Sequence, residues 1–190
     1  MTIYAHAFWT WYPFRRRSWV WPLVAGAILP DLPYCVSFVA AAVERGPRAF
    51  ADVALWRSLW GHPVVVGLHS FLPWGAAMLL LISTRAWRRS PVLAAFVAGW
   101  GSHVVIDMLT HRSDGYPIFW PLPAYRFPTP VSYWERAYHG RVFSLVCDGA
   151  ILVLLIRLAA LRLRRDRGAR GSRAVSCGGS TNAGQGGTHR

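Results

Sequence analysis

The sequence contains no lysine, eight acidic residues, and three cysteines with no CxxC spacing. Cys35, Cys147 and Cys177 are too scattered to indicate a disulfide framework or a thiolate zinc site. All 21 basic residues are therefore arginines, and the formal net charge is +13. Much of this charge lies at the ends of apolar segments and in the C-terminal tail. This distribution of arginines indicates that they set the membrane topology and contact anionic lipid head groups. It argues against nucleic-acid binding, which needs a basic, water-exposed face.

Apolar residues dominate the chain. Of its 190 residues 54% are hydrophobic and 11 are tryptophan, and the mean hydropathy is +0.27. A spanning helix needs about 20 apolar residues, and four segments qualify, at residues 19–43, 63–83, 91–111 and 142–163. The sequence predicts an all-α, integral membrane four-helix bundle over residues 1–165, with a short N-terminal helix. Residues 166–190 are rich in Gly, Ser and Arg, which predicts a disordered basic tail.

Arginines mark one end of every predicted span. They precede the first span, fill the turn at residues 85–89 and follow the fourth span. If the helices alternate, these arginines share one side, which the positive-inside rule assigns to the cytoplasm. We therefore expect a multi-pass protein of the bacterial inner (cytoplasmic) membrane with both termini cytoplasmic. The connection at residues 112–141 then faces outward, and its aromatic and proline content predicts an ordered cap.

The apolar stretch at residues 99–111 holds His103, Asp107 and His111 at four-residue intervals. A charged Asp at the bilayer centre costs about 2.5 to 3.5 kcal/mol on insertion scales, so such a residue marks a functional site by default. Residues four apart share a helix face, but the outer histidines drift apart by about 80° and 12 Å. The spacing favours a metal ion on one His–Asp pair, or two ions bridged by Asp107.

Further ligands must come from other helices. Asp31 lies in the LPDLP run at residues 29–33, where two prolines interrupt the first span, and His69 lies in the second span. His6 reaches them only if residues 1–18 fold back into the bundle. Imidazole and carboxylate ligands without thiolates suit zinc, with manganese as the alternative. We expect a divalent metal ion held by this set: His6, Asp31, His69, His103 and Asp107.

The catalytic residues expected at this site are Asp107 and His111, with His111 or an acid of the outer loop protonating the leaving group. Acid–base candidates without a selective spacing are Asp114, Glu135, His139 and Asp148. Arg112, Arg126 and Arg141 offer guanidinium groups that can clamp a phosphate bidentately.

Several of these pieces together resemble the membrane-bound, metal-dependent hydrolases of the YdjM type, a group often placed near zinc-dependent phospholipase C. The matching pieces are His6, residues 26–31, His69-Ser70, residues 102–107, residues 119–122 and residues 126–134. The resemblance covers about residues 1–148 and implies a hydrolase with the same five His and Asp ligands. The chain departs from many relatives by having Leu32, Pro33 and Tyr34 where a second acidic or His residue follows the Pro-Asp pair.

The sequence thus predicts a hydrolase that cleaves a phosphoester or similar bond of a lipid-associated substrate, at a site open toward the outer leaflet or periplasm. The expected partners are membrane lipids and that substrate. Two alternatives stay open: a transporter or channel component with a transient midplane ion site, and a scaffold or assembly protein whose His and Asp pair to fix helix register. A haem-binding helix pair is a third hypothesis, but Asp107, which lies between the two histidines, disfavours it.

Overall fold

The computed structural model describes residues 1–122 and 125–178, with the backbone alone for residues 167–178. This part of the chain contains helices, 3-10 turns and connections but no strand, so the predicted all-α class is confirmed. Residues Met1–Cys147 form one compact unit, and the chain from Asp148 onward forms a second. The helices described are α1 (Ile3–Phe14), α2 (Val20–Ile28), α3 (Leu32–Arg45), α4 (Val53–Trp60), α5 (Pro63–Leu68), α6 (Phe71–Ser83), α7 (Ala86–Arg89), α8 (Pro91–Thr110) and α9 (Gly140–Gly178).

Three segments of the described chain are long and apolar enough to cross a membrane: Val20–Arg45, Pro91–Thr110 and Gly140–Asp166. The predicted second span, residues 63–83, is not one helix, so the exact four-helix bundle is not confirmed. The helix of this predicted span breaks after α5, and α6 (Phe71–Ser83) is a shorter apolar helix. Pro73 explains the break, because it has no N–H for the carbonyl of His69. Ser70 stabilises it by donating to the carbonyls of Ile118 and Trp120, at 3.0 and 3.1 Å.

The predicted interruption of the first span is confirmed. A 3-10 turn at Leu29–Asp31 separates α2 from α3. Pro30 is buried in this turn, and the Asp31 side chain is only 17% exposed. The turn therefore directs a carboxylate into the protein at the middle of a membrane segment, where broken helices are tolerated if they line a cavity.

Helices α2 and α8 touch backbone to backbone at two glycines. A Cβ atom on Gly99 would lie 1.8 Å from the Leu23 carbonyl oxygen, and one on Gly26 would lie 1.9 Å from the Phe96 carbonyl oxygen. Small residues permit this close approach between membrane helices. Helix α1 packs against both helices, so the structure meets the condition on which His6 could reach the other expected ligands.

The connection after α8 is an ordered cap, as predicted, in the residues that the structure describes. Its backbone and side chains bind the free carbonyls at the end of α8: Tyr133 N–H donates to Thr110 at 2.7 Å, and the Thr129 hydroxyl donates to Leu109 at 2.7 Å. Arg112 donates to the Thr129 carbonyl at 3.0 Å, and its guanidinium lies 4.4 Å from the Tyr138 ring centroid. Arg112 therefore holds the cap together.

Helix α9 is longer than expected. We predicted a span at residues 142–163 and a disordered tail from residue 166, whereas the helix continues to Gly178. Residues 179–190 of the predicted tail lie outside the described residues, and the boundary at residue 165 stays a prediction.

Candidate metal centre

One carboxylate, that of Asp107, lies among four imidazoles. Its Oδ1 is 2.9 Å from His6 Nε2 and 3.5 Å from His111 Nε2. Its Oδ2 is 3.2 Å from His103 Nε2 and 3.7 Å from His69 Nε2. His103 lies one turn before Asp107 on α8, and His111, which directly follows the last residue of α8, lies one turn after it. Helix α1 and the α5–α6 break supply the other two rings.

Asp31 completes the cluster from the break between α2 and α3. Its Oδ1 lies 3.7 Å from His69 Nε2. Two overlapping groups have ligand atoms that all lie within 4.8 Å of one another. The first group is His6, Asp31 and His103, and the second is His69, His103 and Asp107. The structure therefore brings together all five residues expected to bind metal.

Hydrogen bonds to the backbone set the tautomers of two rings. His69 Nδ1 lies 2.8 Å from the Val65 carbonyl, and His103 Nδ1 lies 2.7 Å from the Ala27 carbonyl. A carbonyl oxygen only accepts, so both Nδ1 atoms carry a proton, and the Nε2 atom that faces the carboxylates is the one that has a lone pair when the ring is neutral. Metal-binding histidines are oriented in this way, with one ring nitrogen on a backbone or carboxylate acceptor.

Three buried polar atoms of the cluster have no hydrogen-bond partner among the described residues: His6 Nδ1, Asp31 Oδ2 and His103 Nε2. Buried polar groups almost always have partners, so three orphans in one place need an explanation. His6 and His103 are fully buried, and their rings stack with centroids 3.8 Å apart. A cation bound among these nitrogen and oxygen ligands would satisfy them, and the donor set fits zinc or manganese.

Burial favours the neutral imidazole form of His6. Burial lowers its pKa to about 4, against the opposing influence of the Asp107 carboxylate. Neutral imidazole is the form that donates a lone pair to a metal ion. The cluster also accepts a positive charge, since the Met1 ammonium lies 2.8 Å from Asp107 Oδ1 and contacts His111 Nε2.

Asp114 orients His111. Its Oδ2 accepts from His111 Nδ1 at 2.8 Å, and its Oδ1 accepts from the Ser132 hydroxyl at 3.0 Å. Burial by itself raises the pKa of Asp114, but the hydrogen bond and charge of His111 act in the opposite direction, and the net pKa is lowered. The sequence named Asp114 without a reason to select it. The structure supplies that reason: the Asp114 carboxylate binds Nδ1 of His111 and so orients Nε2 of the same ring toward Asp107.

The other acid–base candidates have different roles. Glu135 accepts from the backbone N–H groups of Ser113 and Asp114, at 2.9 and 3.2 Å, and so braces the cap. His139 has a left-handed backbone conformation just before α9 and is in neither ligand group of the described chain. Asp148 belongs to the second unit.

Two tyrosines beside the cluster were missed at the level of sequence. The Tyr116 ring stacks on His69 at 4.0 Å, and its hydroxyl is hydrogen-bonded to that of Tyr34. Burial raises the pKa of Tyr116, so it stays protonated. Tyr34 carried a usable signal, because it follows Asp31 by three residues at the start of a helix and shares its face. Tyr116 carried none, since its position depends on how the cap folds back.

A small cavity opens beside the cluster. Its volume is about 10 Å³, which is room for about one water molecule. The polar side chains in its wall are His69, Asp107, His111, Tyr116 and Arg126. Arg126 Nε donates to the Gly115 carbonyl at 2.7 Å, and this bond holds the guanidinium at the cavity.

The fold and the cluster define a helical membrane protein with a buried group of His and Asp side chains at the end of a spanning helix. The chain matches the YdjM inner membrane protein family over residues 3–172, and it belongs to that family. This confirms the family part of the resemblance and the membrane location. No curated protein and no solved structure matches the chain.

Proposed function

We propose that this protein is a membrane-bound, metal-dependent hydrolase that cleaves a phosphoester or similar bond of a lipid-associated substrate. The main support is the set of three buried, unpartnered ligand atoms described above, on His6, Asp31 and His103, gathered beside Asp107. Left without a cation, such a cluster inside a membrane segment would be costly, whereas a bound zinc ion contributes on the order of 10 kcal/mol.

The residues that would hold the ion are His6, Asp31, His69, His103 and Asp107. When bound, a divalent ion of this kind supplies Lewis-acid chemistry, which lowers the pKa of water and stabilises negative charge on a phosphoryl oxygen. Zinc is our first assignment and manganese the second, because the cluster has no thiolate.

His111 is the proton carrier in this proposal. Asp114 accepts from its Nδ1, so its Nε2 faces Asp107 at 3.5 Å and borders the cavity. A histidine that alternates between neutral and charged forms at Nε2 can pass a proton to a leaving oxygen.

Arg126 favours an anionic substrate. Its guanidinium lines the cavity and is held through Nε. Arginine recognises carboxylate and phosphate oxygens with a planar fork of donors, which supports a phosphoester over a neutral ester. The cluster lies in a membrane span close to the cap, and we propose that it faces the outer leaflet, with the C-terminus in the cytoplasm. The Met1 ammonium contacts Asp107 in this cluster, so the cytoplasmic N-terminus expected from helix alternation does not fit this geometry, and we propose that Met1 lies on the outer side.

Elemental analysis of the detergent-purified protein tests this proposal. We expect one or two divalent ions per chain in the wild type and almost none in His103→Ala and Asp107→Ala. The matched control is His62→Ala, because His62 accepts from Val64 N–H at the start of α5 and is in neither ligand group. Equal metal content in all four proteins would refute a metal centre.

A scaffold role is the second candidate, and one observation favours it. Asp107 is already paired with the Met1 ammonium and with His6. If these pairs exist only to fix helix register, His103→Ala will lower the melting temperature equally with and without a chelator. A hydrolase requires that the chelator remove cleavage of a phosphodiester such as bis(4-nitrophenyl) phosphate and that the metal restore it.

A further inference from the structure

A large apolar groove lies along α8 in the unit Met1–Cys147, separate from the small cavity at the metal centre. Its volume is about 550 Å³. Its walls come from α1, α2, α7 and α8, and they include Trp9, Trp19, Leu23, Trp87, Ala98 and Ile106.

The lining of the groove suits hydrocarbon. The two hydroxyl side chains in its wall, Thr10 and Ser102, lie 3.4 Å apart, and Ser102 also donates to the Gly99 carbonyl at 2.7 Å. Both hydroxyls are therefore engaged within the protein. Burying a hydroxyl beside hydrocarbon costs free energy unless the hydroxyl is hydrogen-bonded. Because both hydroxyls keep their hydrogen bonds within the protein, a hydrocarbon chain can lie in the groove without that cost.

The groove is long enough for a lipid chain. It extends along α8 from Pro91 to Ile106, over which the helix rises about 22 Å. One leaflet of a bilayer contributes about 15 Å of hydrocarbon, half of a core of about 30 Å. Because α8 is itself a candidate membrane span, an extended acyl chain parallel to it would fit in the groove within a single leaflet.

One end of the groove is strongly basic. Phe14, Trp19, Trp87 and Pro91 line that end. Arg15, Arg16 and Arg17 follow Phe14 directly, Arg88 and Arg89 follow Trp87, and no acidic residue occurs in residues 1–30 or 53–106.

Contacts hold two of these arginines in place. The Arg15 guanidinium lies 4.3 Å from the Tyr12 ring centroid, and that of Arg88 lies 4.9 Å from the Trp87 ring centroid. Arg16, Arg17 and Arg89 are exposed. Arginine clusters at the end of a membrane helix attract anionic head groups, and tryptophan prefers the same level of the bilayer.

We infer that this groove binds an anionic phospholipid, with one acyl chain along α8 and the head-group phosphate among the arginines that follow Phe14 and Trp87. The charge is complementary, since five arginines with no acidic residue close to them in sequence adjoin the end of the groove where the phosphate would lie. This site does not depend on metal binding or on hydrolysis, so it stands or falls separately from the proposed function.

Native mass spectrometry of the full chain tests the site with two probes, 1-palmitoyl-2-oleoyl phosphatidylglycerol and the phosphatidylcholine with the same acyl chains. We expect the wild type to bind phosphatidylglycerol more tightly than phosphatidylcholine. Ala98→Phe fills the groove and should abolish the preferential binding, whereas Ala76→Phe, at an exposed alanine of α6, should retain it.

The head-group contact is tested by a triple variant, Arg16→Gln with Arg17→Gln and Arg89→Gln. We expect a roughly fivefold loss of phosphatidylglycerol affinity for each arginine removed, with no change for phosphatidylcholine. Arg57→Gln, at an exposed arginine of α4, is the control and should bind as the wild type does.

Equal affinity of the wild type for the two lipids would overturn the inference, as would equal losses in Ala98→Phe and Ala76→Phe. A dimer that is present in the wild type and lost in Ala98→Phe would assign the groove to a second copy and would also overturn it. If Ala98→Phe does not fold, the wild-type lipid comparison and the triple variant, which changes exposed side chains only, decide the matter.

Discussion

His103 on α8 donates a hydrogen bond from Nδ1 to the Ala27 carbonyl on α2, at 2.7 Å. This bond joins the proposed metal centre to the close contact between α2 and α8, because Gly26 and Gly99 lie at the same contact. The orientation of a ligand thus depends on how closely two backbones approach. A change that separates the helices should disturb the centre even when every ligand is retained.

Gly99→Ala tests that coupling. A Cβ atom there would lie 1.8 Å from the Leu23 carbonyl oxygen, and a backbone carbonyl cannot rotate away. We expect a loss of stability of about 1–3 kcal/mol, as for overpacking in general, together with reduced metal content. Thermal unfolding and elemental analysis measure the two effects.

The control for this variant is Gly75→Ala on α6, where nothing lies within 4 Å of the added carbon. We expect that change to be neutral or slightly stabilising. If Gly99→Ala behaves like Gly75→Ala, the close contact does not support the centre.

Asp114 should contribute stability that depends on pH. Its pKa in the folded protein is lowered, so its contribution is complete above its unfolded pKa of about 3.9 and is lost as the pH falls through the folded value. We expect Asp114→Asn to lower the melting temperature at pH 6 and to have little effect near pH 2. An equal decrease at both pH values would contradict the role of the carboxylate charge.

The hydroxyls of Tyr34 and Tyr116 should be energetically coupled. Removing one hydroxyl leaves the other half-satisfied in a partly buried site, which costs about 1 kcal/mol or more, whereas removing both leaves no unpaired group. Tyr34→Phe and Tyr116→Phe should therefore each destabilise, and the double variant should be more stable than the sum of the two effects predicts. Additive losses would show that the hydrogen bond contributes nothing.

Arg126 should act on substrate binding through its fork of donors. Arg126→Lys keeps the charge but loses the planar geometry and the bond from Nε to the Gly115 carbonyl. We expect KM for a phosphodiester to rise about tenfold with a smaller change in kcat, and metal content to stay at the wild-type level. Arg57→Lys is the control, and a loss of bound metal in Arg126→Lys would point instead to a structural role.

Local pattern was enough to predict part of the centre. The four-residue spacing on α8 placed His103, Asp107 and His111 near one face because helix periodicity is a property of the backbone. The prolines at residues 30 and 33 predicted the break that directs Asp31 inward. The apolar lengths of the first, third and last spans were readable for the same reason, since hydropathy and length are local quantities.

Other parts required long-range contacts. Pro73 marks the split of the predicted second span, but the split depends also on Ser70 binding carbonyls of the cap. His6 enters the centre because α1 folds back onto α2 and α8, and Tyr116 enters because the cap returns over His69.

The amino-acid pattern was sufficient for the helical membrane class, the ligand types on α8 and the proline break beside Asp31, because each is set within one or two turns of helix. The meeting of His6, Asp31 and His69 with those ligands was determined by packing between residues far apart in the chain. That packing depends on steric fit at contacts such as Gly26 with Phe96, which helix periodicity alone does not encode.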